Sequence, residues 1–120
     1  MAQTHATFGE VIAAGSLGEQ WSAGRSQTLV REQELQISRL VLPRGHTLKP
    51  HSVSLHLVFQ CLEGEILFET MGRQLTLRPG DLCHISPGQE HAVSALEDSS
   101  ALLTLFGRHP PISDKSGNNA

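Results

Sequence analysis

The 120-residue sequence has no tyrosine, one tryptophan and two cysteines, and only 18% of its residues are charged. Each shortage removes a class of protein. Two cysteines, Cys61 and Cys83, are too few to staple a small secreted fold, so apolar burial must hold the chain together. Nine Lys and Arg against twelve Asp and Glu leave a formal charge of −3. That is no surplus for neutralising phosphates, and nucleic acid is not an expected partner. No apolar run approaches the roughly 18 residues of a membrane span. The start, Met1 to Phe8, lacks the basic segment and apolar stretch of a secretory signal. The expectation is a soluble, cytoplasmic chain that buries one core, with no membrane partner.

What the sequence does have is histidine, seven in all. Histidine ligates metals, moves protons and titrates near neutral pH. His5 and His109 lie in ends that carry little apolar patterning. The ends divide off as an N-terminal arm or edge segment (1–25) and a disordered tail (108–120), around a β domain at 26–107. His46, His51, His56, His84 and His91 remain.

Between Gln27 and Phe106 the pattern is that of short strands. Leu35 and Ile37 share one parity and Leu40 and Leu42 the other, which suggests a bulge or a strand end buried on both faces. Val53, Leu55, Leu57, Phe59 and Cys61 are apolar at every second position, with Ser54, His56, Val58 and Gln60 between them. This predicts a strand with one dry face, extended back to His51 by parity. Met71-Gly72 reads as a hairpin tip. Pro79-Gly80 reads as a type II turn, with Asp81 accepting backbone N–H bonds beside it, and Pro87-Gly88 repeats the device. Only Phe8 to Trp21 leaves room for a helical turn. The fold class is all-β: an antiparallel double-sheet barrel or jelly roll with little or no helix.

Two segments carry the chemistry-bearing residues, and together they resemble the two sequence motifs of the cupin superfamily. Gly45, His51 and Gly64 fall on their places in the first motif; Gly80, Gly88 and His91 fall on theirs in the second. The departures are specific. Val53 stands where the second histidine of motif one belongs, and Leu57 where its glutamate belongs. In motif two the proline has moved one place to Pro87, leaving Ser86 at its position, and Ala95 replaces the asparagine. The resemblance covers about Leu35 to Phe106. It implies a compact β-barrel with a central pocket, assembled as a homodimer. In metal-binding members the metal ligands come from the two motif-one histidines, the glutamate and the motif-two histidine.

Val53 and Leu57 cannot coordinate anything, and a transition metal in a protein site usually takes three or more protein ligands. The leading expectation is therefore a pocket for a small organic ligand without a full metal site. Val53, Leu55, Leu57 and Phe59 line it, and His51 and His91 are its polar handles. The rival is a metal-dependent enzyme of the dioxygenase, isomerase or decarboxylase type. It would hold a divalent transition metal with His51, His91 and a third ligand, for which His84 is the candidate. A third reading is a ligand-sensing or regulatory module. His46 reads as a solvated loop residue and His56 as an outer-face residue. Cys61 and Cys83 read as small buried hydrophobes. Val58 and Leu62 make the outer face partly apolar, so it needs a cover, either the N-terminal segment or the second subunit of a homodimer.

Overall fold

The computed structural model describes residues 6–108. The tail expected from residue 108, with His109, falls almost entirely outside them, as does His5. In chain order the strands are β1 (Gln27–Glu32), β2 (Leu35–Leu42), β3 (Thr47–His51), β4 (His56–Glu63), β5 (Ile66–Thr70), β6 (Arg73–Leu77), β7 (Leu82–Ile85), β8 (His91–Ala95) and β9 (Ser99–Phe106). They form a five-stranded sheet, β1-β2-β9-β4-β7, and a four-stranded sheet, β3-β8-β5-β6, with every pair antiparallel. The two sheets make a jelly-roll-like sandwich. One 3₁₀ turn, Gly18–Ala23, is the helical content among the described residues, and it overlaps the end of the Phe8–Trp21 stretch and runs two residues past it.

The core lies between the sheets. Leu57, Phe59 and Cys61 of β4, Ile66 and Phe68 of β5, Val93 of β8 and Ala101 of β9 are each at most 2% exposed. Alternation along β4 decides this, because its even-numbered neighbours are only half-buried. The turns follow their chemistry. Met71 and Gly72 both take positive φ (53° and 73°) at the β5–β6 tip, as a type I′ hairpin requires. Asp81 N–H donates to Arg78 O across Pro79-Gly80, with Gly80 at φ 95°. The Asp81 carboxylate accepts the Arg78 N–H at 2.9 Å, the role its position suggested.

Two details of the strand pattern are corrected. The dry strand does not run from His51 to Cys61. β4 begins at His56, and His51 ends β3 in the other sheet. Val53 and Leu55 are buried in the connection between the two sheets, so alternation continues while the ladder does not. The irregularity expected in β2 lies in its partner. β2 pairs with β9 without a break from Leu35↔Phe106 to Leu42↔Ser99, and the register shift falls in β1 between Thr28 and Val30. Gln36, Ser38 and Leu40 therefore point inward beside Leu105, Leu103 and Ala101, while Leu35 and Ile37 face out.

The N-terminal segment is strapped across one end of the outer face of the larger sheet. Arg39 Nη2 donates to Ala13 O (2.9 Å) and Gly15 O (3.1 Å), and Trp21 Nε1 donates to Ser99 O (3.0 Å). Glu63 is the clasp. Its two carboxylate oxygens accept the Leu17 and Gly18 N–H groups, each at 2.9 Å, and the Ser100 hydroxyl also donates to it. Burial alone would raise the Glu63 pKa, but those three donors, with Arg39 nearby, hold it below its ordinary 4.5. A carboxyl depressed in this way stabilises the strap fully above pH 4.5 and loses that contribution as pH falls through its folded value. Trp21, the chain's one tryptophan, should report the loss as a red shift in emission below pH 4.5. Glu63→Ala should show the shifted emission already at pH 7. Emission in Glu63→Ala identical to wild type across that range would contradict the clasp.

Candidate functional site

A cavity of about 230 Å³ lies between the sheets, lined mainly by apolar side chains. One wall comes from the larger sheet through Leu57 and Phe59 of β4, Leu103 and Leu105 of β9, and Gln36, Ser38 and Leu40 of β2. The other comes from the smaller sheet through Leu48 and His51 of β3 and His91 and Val93 of β8, with Val53 between. Five of the six residues expected around a pocket thus line one cavity: His51, Val53, Leu57, Phe59 and His91. Leu55 is the exception. It is buried but not part of this lining, because the connection from β3 turns it away before β4 begins. A broader groove of about 930 Å³ runs along the β5–β6 hairpin and also reaches His91, but it opens widely to solvent.

The two histidines meet by pairing, since His51 of β3 lies opposite His91 of β8 in the ladder. Their ring centroids are 4.4 Å apart and the rings are tilted by 56°. His91 is 3% exposed and stacks on Phe68 at 5.7 Å with an interplanar angle of 5°, while His51 is exposed at the rim. Each ring is tied to the main chain two residues earlier. His51 Nδ1–H donates to Lys49 O at 3.0 Å, and His91 Nδ1–H donates to Gln89 O at 3.1 Å. A carbonyl can only accept, so Nδ1 carries the proton in both rings. Burial, reinforced by His51, holds the His91 pKa below its ordinary 6.5, so His91 is neutral at pH 7.

His84 does not join this pair. Its strand, β7, places it opposite Val58 on the outer face of the larger sheet, not facing the cavity. There His56 Nδ1 and His84 Nε2 share a hydrogen bond of 3.1 Å, and Phe106 stacks on His56 at 5.0 Å. The three-histidine set of His51, His84 and His91 is thereby overturned. Strand parity puts Cys83 and Ile85 inward beside Phe59 and Leu57, and His84 outward. His46 is exposed in the loop before β3.

The cupin resemblance implies a metal, and these donors decide whether one fits. Val53 and Leu57 occupy the remaining ligand positions of the motif, and both line the cavity. Among the described residues no three His, Cys, Asp or Glu side chains converge as a metal-holding group. Two imidazoles and two aliphatic side chains do not fit a metal held by protein ligands.

The cysteines offer no nucleophile. Cys61 is fully buried, and burial, with Asp81 nearby, pushes its thiol up to about 11. Burial also raises the Cys83 thiol. Cys83 is only half-buried, so the fully buried Cys61 thiol is the one expected to react with Ellman's reagent slowly in native protein and at once in denaturant. Rapid reaction of both thiols in the native protein would contradict the burial of Cys61.

Sequence reasoning missed Gln36 and Ser38, the polar groups on the wall facing the histidines. The parity of Leu40 and Leu42, carried back unbroken through β2, would have found them. Leu48, Val93, Leu103 and Leu105 carry no chemical signal and enter only through register.

A cupin domain model matches residues 38–106. The chain belongs to the cupin family. No curated protein matches this cupin significantly. Its fold is shared by several solved structures. A conserved protein of unknown function from Streptococcus pyogenes is 21% identical with a TM-score of 0.72, the match covering 92% of this chain and all of that one (100%). An RmlC-like cupin from Shewanella frigidimarina is 20% identical with a TM-score of 0.67, over 87% of this chain and 91% of that one. KdgF from Halomonas sp. is 23% identical with a TM-score of 0.66, over 70% of this chain and 80% of that one. At these identities the likeness is one of fold, and the site must be argued from its own residues. No helix among the described residues is long and apolar enough to cross a membrane.

Proposed function

We propose that this small cupin binds a compact organic ligand in the cavity between its sheets, with His51 and His91 as polar handles. The observation that carries the reading is the pairing of these two histidines at one end of an otherwise mainly apolar cavity. Such sites combine an apolar lining with a few placed polar groups. The binding domain is 26–107, with the arm strapped over it through residues 13–21, and the protein acts in the cytoplasm. The pairing of His84 with His56 removes the third ligand that a metal-dependent dioxygenase, isomerase or decarboxylase reading requires.

The test is mass spectrometry of small molecules and metals released from protein purified without a histidine tag. A stoichiometric organic molecule, lost on His91→Ala, is the expected result. Stoichiometric iron, manganese, nickel or zinc that is lost on His51→Ala would overturn the reading.

We also propose a homodimer formed through the end of the outer face that the strap leaves open. Leu82 is 56% and Phe106 36% exposed there, beside half-buried Val58 and Thr104. Apolar area of this kind is commonly covered by a second subunit. Light scattering at micromolar protein should give twice the 13.0 kDa chain mass, and Leu82→Glu should shift it toward the monomer. A monomeric mass for the unaltered protein would reject the dimer.

A further inference from the structure

The cavity makes a demand on its ligand that its apolar lining does not. Both handle imidazoles spend Nδ1–H on a backbone carbonyl. In a neutral ring so held, Nε2 is left as an acceptor. Neither Nε2 has a hydrogen-bond partner among the described residues. Two acceptors on adjacent rings, 4.4 Å apart between centroids, together favour a donor or a cation beside them. With Val53 and Leu57 filling the other ligand positions, a cation lacks the remaining donors. The opposite wall differs in kind. Gln36 Nε2 donates to Ser38 Oγ at 3.4 Å, and this pair retains both donor and acceptor capacity. The cavity is therefore polarised, with acceptors alone at one end and mixed groups at the other. Its 230 Å³ equals roughly seven or eight water molecules at about 30 Å³ each, which is room for a single-ring molecule.

We infer that the cavity selects small, neutral, ring-sized molecules by an O–H or N–H donor presented to the Nε2 atoms of His51 and His91. The inference rests on the cavity being the ligand site, as proposed above, and specifies the chemistry recognised there. The physical basis is asymmetric. A donor gains the locked acceptor of buried His91 beside that of His51 at the rim, whereas an isostere without one leaves the His91 acceptor desolvated and unpaired.

Three probes of near-equal size separate the possibilities: phenol, toluene, in which a methyl replaces the hydroxyl, and anisole, which has an oxygen but no donor. Each is titrated into ¹⁵N-labelled full-length protein in the presence of EDTA, and the amides of Val53, Val93, Leu103 and Leu105 are followed. Phenol should shift them, with affinity about tenfold or more above that of toluene and anisole, the loss expected when a buried acceptor goes unpaired. His51→Leu, at an exposed position, should narrow that gap. Equal binding of phenol and toluene would overturn donor selection while leaving the cavity as a ligand site. No response to any of the three would remove the ligand-site reading and the inference with it. Phenol binding that appears only on adding a divalent metal in place of EDTA would also overturn the inference. A direct check needs no ligand: two-bond ¹H–¹⁵N spectra should show both rings protonated at Nδ1, and an Nε2-protonated His91 would contradict the premise.

Discussion

Gly64→Ala is expected to cost this cupin about 2–5 kcal/mol, the sum of backbone strain and overpacking at one site. Gly64 takes φ 83° at the end of β4, a left-handed conformation that costs a side chain strain. The new Cβ would also collide with Ser99 Oγ and the Asp98 carbonyl oxygen and lie 2.8 Å from Ser99 Cα. Neither neighbour can give way cheaply. One is backbone, and the Ser99 hydroxyl donates to Glu97 O (2.7 Å) while accepting the Glu65 N–H (3.1 Å). Gly80→Ala and Gly88→Ala are the natural comparators. Both glycines have positive φ (95° and 81°), but a Cβ there meets nothing within 4 Å, so strain alone applies, at about 1 kcal/mol. Against a total stability of about 5–15 kcal/mol, Gly64→Ala should lower the thermal midpoint by at least about 8 °C, at about 4–8 °C per kcal/mol. Equal midpoints for Gly64→Ala and Gly88→Ala would show that the close approach at Gly64 has no energetic consequence.

Phe68→Ala should cost about 3–5 kcal/mol by leaving a cavity in the core between the sheets. Phe68 is fully buried, packs against Phe59 at 5.1 Å between ring centroids, and lies parallel to His91 at 5.7 Å. The effect should therefore reach the site as well as the stability. Burial is the largest cause that lowers the His91 pKa. Removing a ring that packs beside His91 and helps to bury it should let the pKa rise back toward 6.5. Chemical denaturation measures the first effect and histidine NMR titration the second. Phe68→Leu keeps most of the volume and should lose less stability. A Phe68→Ala protein that loses stability while the His91 titration stays put would separate the core from the site and refute the link.

The pocket and the fold were unequally legible in the sequence. Alternation from Val53 to Cys61 was enough to find the dry face, because a strand with one buried side must place its apolar residues two apart. The Met71-Gly72, Pro79-Gly80 and Pro87-Gly88 turns were legible because positive φ and a fixed proline φ have few residue solutions. The strand boundary between His51 and His56 was not. Nothing in Ser52 to Leu55 says that the chain leaves one sheet and enters the other while keeping its side chains buried. The clasp at Glu63 was invisible for a related reason. Its donors, Leu17, Gly18 and Ser100, lie 46, 45 and 37 residues away, and no local pattern anticipates a contact of that span.

Histidine shows the division most clearly. Counting seven raised the question of a metal, and the residues at 53 and 57 were enough to remove two ligands, since aliphatic side chains have no lone pair wherever they point. The sequence alone thus determined which atoms this chain can offer. Which of them meet was decided only by tertiary structure. The β3–β8 ladder brings His51 against His91, and the β4–β7 ladder turns His84 outward to His56. Strand register sets both, and one residue of slip moves a side chain to the opposite face of its sheet. That register is a property of paired strands far apart in the chain, and no single segment contains it.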